Sequence, residues 1–167
     1  WDLDQIEMRV LAHESNDPGL VKIFTEGLDI HTTTAATIYG KAPSDVAKDE
    51  RTRAKNVGFG VMYGISALGL MDQMHQRGQT QWTQEDCTKL IEEWYYIYPG
   101  VREYTEEKRA ECRRHGYVRD MFGRLWRLPG VWSNDPKLQE EALRQCGNFP
   151  IQAGAAGVIK LAMAEIW

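Results

Sequence analysis

Arg51, Lys55, Phe59 and Tyr63 recur every fourth residue within Arg51-Thr-Arg-Ala-Lys55-Asn-Val-Gly-Phe59-Gly-Val-Met-Tyr63-Gly. On a helix this spacing forms one slowly drifting stripe, cationic in its first half and aromatic in its second. That order suits a nucleoside triphosphate, with cations and the positive helix end toward phosphates and flat rings toward a base. A core-facing stripe would not place Arg and Lys in register with Phe and Tyr, and the alternative is an ordinary amphipathic helix with two snorkelling cations. Gly58 and Gly60 interrupt the run at about 1 kcal/mol each. Either a close approach to the backbone or tight packing against a neighbouring element would justify them.

Two further sets carry chemistry. Asp2-Leu3-Asp4 places two carboxylates two residues apart. On a strand both would leave by the same face, a geometry that holds a divalent cation through oxygen ligands. A solvated edge strand explains the same spacing, and the pair gains weight only beside the stripe. Gln5, Glu7 and Arg9 follow on the entering helix. Arg144, Asn148 and Gln152 also recur every fourth residue, stacking three hydrogen-bonding side chains on one helix face.

The net charge of −4 hides an asymmetry. Residues 1–50 carry ten acids against four bases, whereas Arg113, Arg114, Arg119, Arg124 and Arg127 face Asp120 alone in 113–127. Acids early and basic islands later suit a metal site beside polyanion contacts. Cys87, Cys112 and Cys146 lack any Cys-x-x-Cys pairing and read as reduced thiols. His13, His31, His75 and His115 show no metal-ligand spacing. No run of about 18 apolar residues is present, so no membrane partner is expected. The chain opens on Trp1-Asp2 and closes on Glu165-Ile-Trp167 in mid-pattern, which reads as an internal piece of a cytoplasmic, unsecreted protein.

The elements that must carry these residues are mainly helices. Asp17-Pro18 starts one, and Asp29 caps another that Gly40 ends. The striped helix begins near Asp49 and stops at Gly64. Ser66 opens a short helix that stops near Gly78, and Thr83 with Asp86 reads as a capping box. Pro99-Gly100 separates that helix from one running to His115. Residues 117–120 and 124–128 flank a turn as a hairpin. Pro136 starts a helix to about Cys146, and Ile151–Glu165 forms the last.

Together these pieces resemble the family A DNA polymerases over nearly the whole chain. Asp2-Leu-Asp-Gln-Ile-Glu7-Met-Arg-Val-Leu-Ala-His13 resembles the first polymerase motif, and Asp29-Ile-His31 a step that follows it. Arg51 to Leu70 resembles the second motif, on the helix that closes over the nucleotide. Tyr98-Pro-Gly-Val101, Gly116-Tyr-Val118, Gly123-Arg124 and Asn148-Phe-Pro-Ile-Gln152 match as well. The implied fold is α+β and predominantly helical: fingers plus a partial palm of a right-hand polymerase. Residues 1–40 would begin the palm and enter the fingers, 41–115 form the fingers, and 116–167 return to the palm.

The resemblance also implies roles. Asp2 and the Leu3 backbone carbonyl would hold two magnesium ions, with Asp4 either repelling the Asp2 charge or serving as an outer-sphere metal partner. Gln5, Glu7, His31, Arg51, Lys55, Phe59 and Tyr63 would bind a deoxynucleoside triphosphate. Within that set, Lys55 would protonate pyrophosphate and Glu7 would reject a 2′-hydroxyl. Arg124, Arg144, Asn148 and Gln152 would meet primer-template DNA, where minor-groove acceptors common to all correct pairs allow a check of geometry. The remaining partner would be the rest of the polymerase chain.

Three departures stand against the family pattern. Asp4 replaces a small hydroxyl residue, Gln152-Ala-Gly-Ala-Ala replaces Gln-Gly-Thr-Ala-Ala, and the His-Asp-Glu motif with the second metal-binding aspartate is missing. The expectation is therefore a polymerase piece inactive by itself, with an incompletely covered apolar face. The alternatives are a single-subunit RNA polymerase piece, disfavoured by Glu7 and Phe59, and a noncatalytic helical DNA-binding module.

Overall fold

The computed structural model describes residues 4–166. Eight α-helices, two short 3-10 helices and one two-stranded antiparallel sheet appear among them. The chain divides into two compact units, Asp17–Pro99 and Trp1–Asn16 with Gly100–Trp167.

In the unit Asp17–Pro99, each helix start is written in the local sequence. The Asp17 carboxylate accepts from Leu20 N at 3.0 Å and opens α2 (Pro18–Thr25). Asp29 accepts from Thr32 N at 2.7 Å and opens α3 (Ile30–Tyr39), which Gly40 closes in the left-handed region. The striped helix is α4 (Lys48–Met62), entered through the Glu50 carboxylate accepting from Ala47 N at 2.9 Å. Ser66 caps α5 (Ala67–Gln76), and the Thr83–Asp86 capping box starts α6 (Gln84–Ile97). α4 and α6 both pack on α3, and α5 packs on α6. Ile30, Val57, Leu70, Met74, Cys87 and Trp94 are buried between them. Tyr98 is also buried, its ring 4.8 Å from Trp94 and its hydroxyl 2.7 Å from Thr34 Oγ1.

Gly60 shows why a glycine interrupts α4. A Cβ there would stand 2.7 Å from Ile65 Cγ2, because the chain turns back at Gly64 and lays Ile65 on the helix it has left. The close approach comes from the protein's own chain.

The other unit contains α1 (Ile6–Ser15), α7 (Pro99–His115, its first residue across the boundary), the hairpin β1 (Tyr117–Arg119) and β2 (Leu125–Arg127), and α8 (Pro136–Ile166). Val118 pairs with Trp126 at the centre of the hairpin. Cys112, Val118, Leu128, Val131, Ala142, Leu143 and Cys146 form one apolar cluster with Phe149 against it. The α7–hairpin junction needs Gly116: φ is 70°, and a Cβ would lie 2.4 Å from the Trp132 ring.

Two sequence expectations change. The segments Pro136–Cys146 and Ile151–Glu165 are one 31-residue helix that runs through Pro150. An interior proline costs about 3 kcal/mol. Burial of Leu143, Cys146, Pro150, Ile151, Gly154 and Ala155 along one helix, with α1 packed on it, offsets that cost. The alternation expected through Asp4 also fails there. Asp4 stands in a turn and Gln5 is left-handed at φ 55°, because α1 begins at the next residue. Asp2 and Leu3 lie outside the described residues.

α8 is long and apolar enough to cross a membrane by composition. Its middle instead carries the packing just described, and Arg144, Asn148 and Gln152 stand along it. Toward its end Ile159, Leu161, Met163 and Ile166 are exposed.

Candidate nucleotide and nucleic-acid sites

α4 assembles the column that its sequence spacing promises. Lys55 Nζ lies 5.8 Å from the Phe59 ring centroid, and Phe59 lies 6.5 Å from the Tyr63 ring with 15° between the planes. Tyr63 has already left the helix as its C-cap residue, yet keeps the register of the stripe. His31, from the first turn of α3, adds a ring 5.7 Å from Phe59. Its side chain is buried, whereas Lys55 is exposed and Phe59 and Tyr63 are half-buried.

Arg51 is held by Asp29. Nε donates to Asp29 Oδ1 at 3.0 Å and to Thr32 Oγ1 at 3.2 Å, and Nη2 donates to Asp29 Oδ2 at 2.8 Å. Among the described residues Nη1 has no hydrogen-bond partner. Partial burial works to raise the Asp29 pKa, but the Arg51 and Thr32 hydrogen bonds hold the carboxyl well below the usual carboxylate range. The hydrogen bonds to Asp29 raise the Arg51 pKa. Sequence reasoning saw Asp29 as a cap and as part of the Asp29-Ile-His31 step but not as the partner of Arg51, since a partner 22 residues away leaves no local signature.

Residues 4–9 form a small hydrogen-bonded polar group. Gln5 Nε2 donates to Asp4 Oδ2 at 3.4 Å, and Arg9 Nε donates to the Asp4 carbonyl at 3.1 Å. Gln5 Oε1 is buried without a partner, and Glu7 is half-buried in the first turn of α1. No group of three or more His, Cys, Asp or Glu side chains among the described residues could hold a metal ion. Exposed Asp4 alone does not fit a two-metal centre, and Asp2 with the Leu3 carbonyl falls outside the described residues.

On α8 the four-residue spacing is preserved through Pro150. Arg144 is exposed and paired with Glu141, and Gln152 is exposed. Asn148 keeps a buried Oδ1 without a partner, a condition that costs roughly 1–3 kcal/mol unless a ligand or water supplies a donor.

Arg124 is largely committed to the fold. Nε donates to the buried Asp120 carboxylate at 2.6 Å, and Nη2 donates to the Ala153 carbonyl on α8. Asp120 also accepts from Phe122 N at 3.0 Å and Arg124 N at 2.8 Å. The lone acid among five arginines is thus the organiser of the hairpin turn. Its spacing of four from Arg124 was the available signal.

Comparison with known proteins identifies the family. The model of DNA polymerase family A matches residues 1–167. The chain belongs to that family. It is 40% identical over 166 residues to a thermostable DNA polymerase I of Thermus thermophilus, covering 99% of this chain and 19% of that protein. A DNA polymerase I of Streptococcus pneumoniae is 39% identical over 166 residues, with 99% and 18% covered. The solved polymerase domain of Pol1 from M. smegmatis, in complex with DNA primer-template and dNTP, superposes with a TM-score of 0.89 at 34% identity. That match covers 97% of this chain and 28% of that chain. The chain therefore spans about a fifth of the length of the curated relatives.

Proposed function

We propose that this chain is the nucleotide-selecting part of a larger DNA-directed DNA polymerase, which transfers a nucleotidyl group from a deoxynucleoside triphosphate to a primer 3′-hydroxyl. The observation that carries this reading is the Arg51–Lys55–Phe59–Tyr63 column on α4 with the His31 ring beside it. Arg51 Nη1, Lys55 and His31 take the triphosphate. Phe59 lies against sugar and base, and Tyr63 lines the pocket of the templating base. Lys55 donates a proton to the leaving pyrophosphate, and Glu7 closes the space a 2′-hydroxyl would need.

Arg144, Asn148 and Gln152 track the primer-template, with Arg124 adding a phosphate contact through Nη1. Asp2, the Leu3 carbonyl and Gln5 belong to the reacting end. The divalent ion is Mg²⁺, held by Asp2 with a second carboxylate from the rest of the polymerase. Asp4 assists from the outer sphere. The setting is cytoplasmic. The subdomain assignment is palm entry at 1–40, fingers at 41–115 and palm return at 116–167, whereas the compact units divide after Asn16 and after Pro99.

Primer extension by the complete polymerase tests the reading. Arg51→Ala and Lys55→Ala should each raise the dNTP KM at least tenfold, the scale of a lost charge-assisted phosphate contact. Glu7→Ala should admit ribonucleotides. Unchanged extension by Lys55→Ala and Phe59→Ala variants would refute it.

A further inference from the structure

Asp29 stands where two parts of the proposed triphosphate site originate. Oδ1 accepts from Thr32 N at 2.7 Å, fixing the first turn of α3 and thus the start of the helix that carries His31. The same oxygen accepts from Thr32 Oγ1 at 2.6 Å, and both carboxylate oxygens engage Arg51. A fork of this kind fixes the plane of a guanidinium as well as its position. A long side chain otherwise loses rotamer entropy when it meets a ligand. Because Nε and Nη2 are engaged, the outward nitrogen is Nη1.

We propose that Asp29 is a positioning residue serving both arms of the triphosphate site: it orients Arg51 so that Nη1 is left for phosphate, and it anchors the helix start that presents His31. The proposal rests on the nucleotide reading of Arg51 and His31. Asp29 itself touches no substrate. Its carboxylate is the partner that lets Arg51 meet a polyanion already aligned.

The conservative variant separates this role from capping. Asn is as good an N-cap as Asp, so Asp29→Asn preserves α3 while removing the charge and half of the fork. Steady-state single-nucleotide incorporation by the complete polymerase should show the dNTP KM raised roughly tenfold with kcat within about twofold. The double variant Asp29→Asn/Arg51→Ala should be no worse than Arg51→Ala, because the two residues act as one unit. Thermal unfolding of each variant checks that α3 is intact.

An unchanged KM in Asp29→Asn would reduce Asp29 to a cap and overturn the proposal. A lowered KM would make Asp29 a competitor for Arg51 and overturn it equally, as would additive effects in the double variant. If Arg51→Ala leaves the KM unchanged, the phosphate reading of Arg51 falls and takes this inference with it. An Arg51→Ala defect beside a normal Asp29→Asn enzyme sinks this inference alone.

Discussion

Phe59 and Tyr63 lie 6.5 Å apart with only 15° between their ring planes, and the Tyr63 N–H, at the helix C-cap, donates to the Phe59 carbonyl at 3.0 Å. Near-parallel rings at that distance leave an offset rather than a full stack. Phe59 also has Lys55 Nζ 5.8 Å from its ring centroid and the His31 ring at 5.7 Å. It is the ring on which the whole column leans.

The first prediction follows. Phe59→Ala should weaken dNTP binding by about 1–3 kcal/mol, the range for losing one base–aromatic contact. Phe59→Tyr should retain most of the affinity, since the face is kept. Nucleotide titration of the complete polymerase on primed template decides it, and an Ala variant with undiminished affinity would remove Phe59 from the site.

A second prediction concerns acid. Asp29 has its pKa depressed in the folded state, so its contribution to stability is present above the unfolded carboxylate value of about 3.9 and is lost as pH falls through the lower folded value. The Arg51 pairing should therefore persist through pH 4. Carboxyl carbon NMR should show Asp29 flat between pH 7 and 4. A midpoint near 4 would mean that Arg51 does not hold it.

Helix starts were legible because the stabilising partner sits three residues away. Asp17, Asp29, Ser66 and Thr83 all cap where the sequence placed them. The stripe was legible because its period is that of the helix. Pro150 misled because its local cost is offset by burial against α1, which no window of sequence contains. Asp29 with Arg51, and Arg124 with the Ala153 carbonyl, were hidden for the same reason. The Asp2–Leu3 end of the site rests on the family pattern, since its geometry lies outside the described residues.

Gly157 gives the third prediction. A Cβ there would stand 2.3 Å from the Phe122 ring and 2.7 Å from Arg124 Nη2, so α8 seats on the hairpin turn only without a side chain. Gly157→Ala should gain helix propensity and still lose stability, by about 1–3 kcal/mol, because overpacking outweighs it. The midpoint of thermal unfolding reads the sign directly. A rise would show that Phe122, which is exposed, simply swings away.

Arg124 carries the last prediction, because two roles meet in one guanidinium. Nε and Nη2 join Asp120 to the Ala153 carbonyl, while Nη1 has no partner among the described residues. Arg124→Ala would leave the buried Asp120 carboxylate with backbone donors only, a loss of about 2 kcal/mol. If Nη1 also meets a phosphate, the slope of log affinity for primer-template against log salt should shrink by about one. Arg144→Ala should shrink the slope similarly with little loss of stability, since Arg144 pairs only with Glu141 at the surface. Measuring both quantities for both variants separates staple from contact. A destabilised Arg124→Ala variant with an unaltered slope would leave Arg124 to the fold and Arg144 to the DNA.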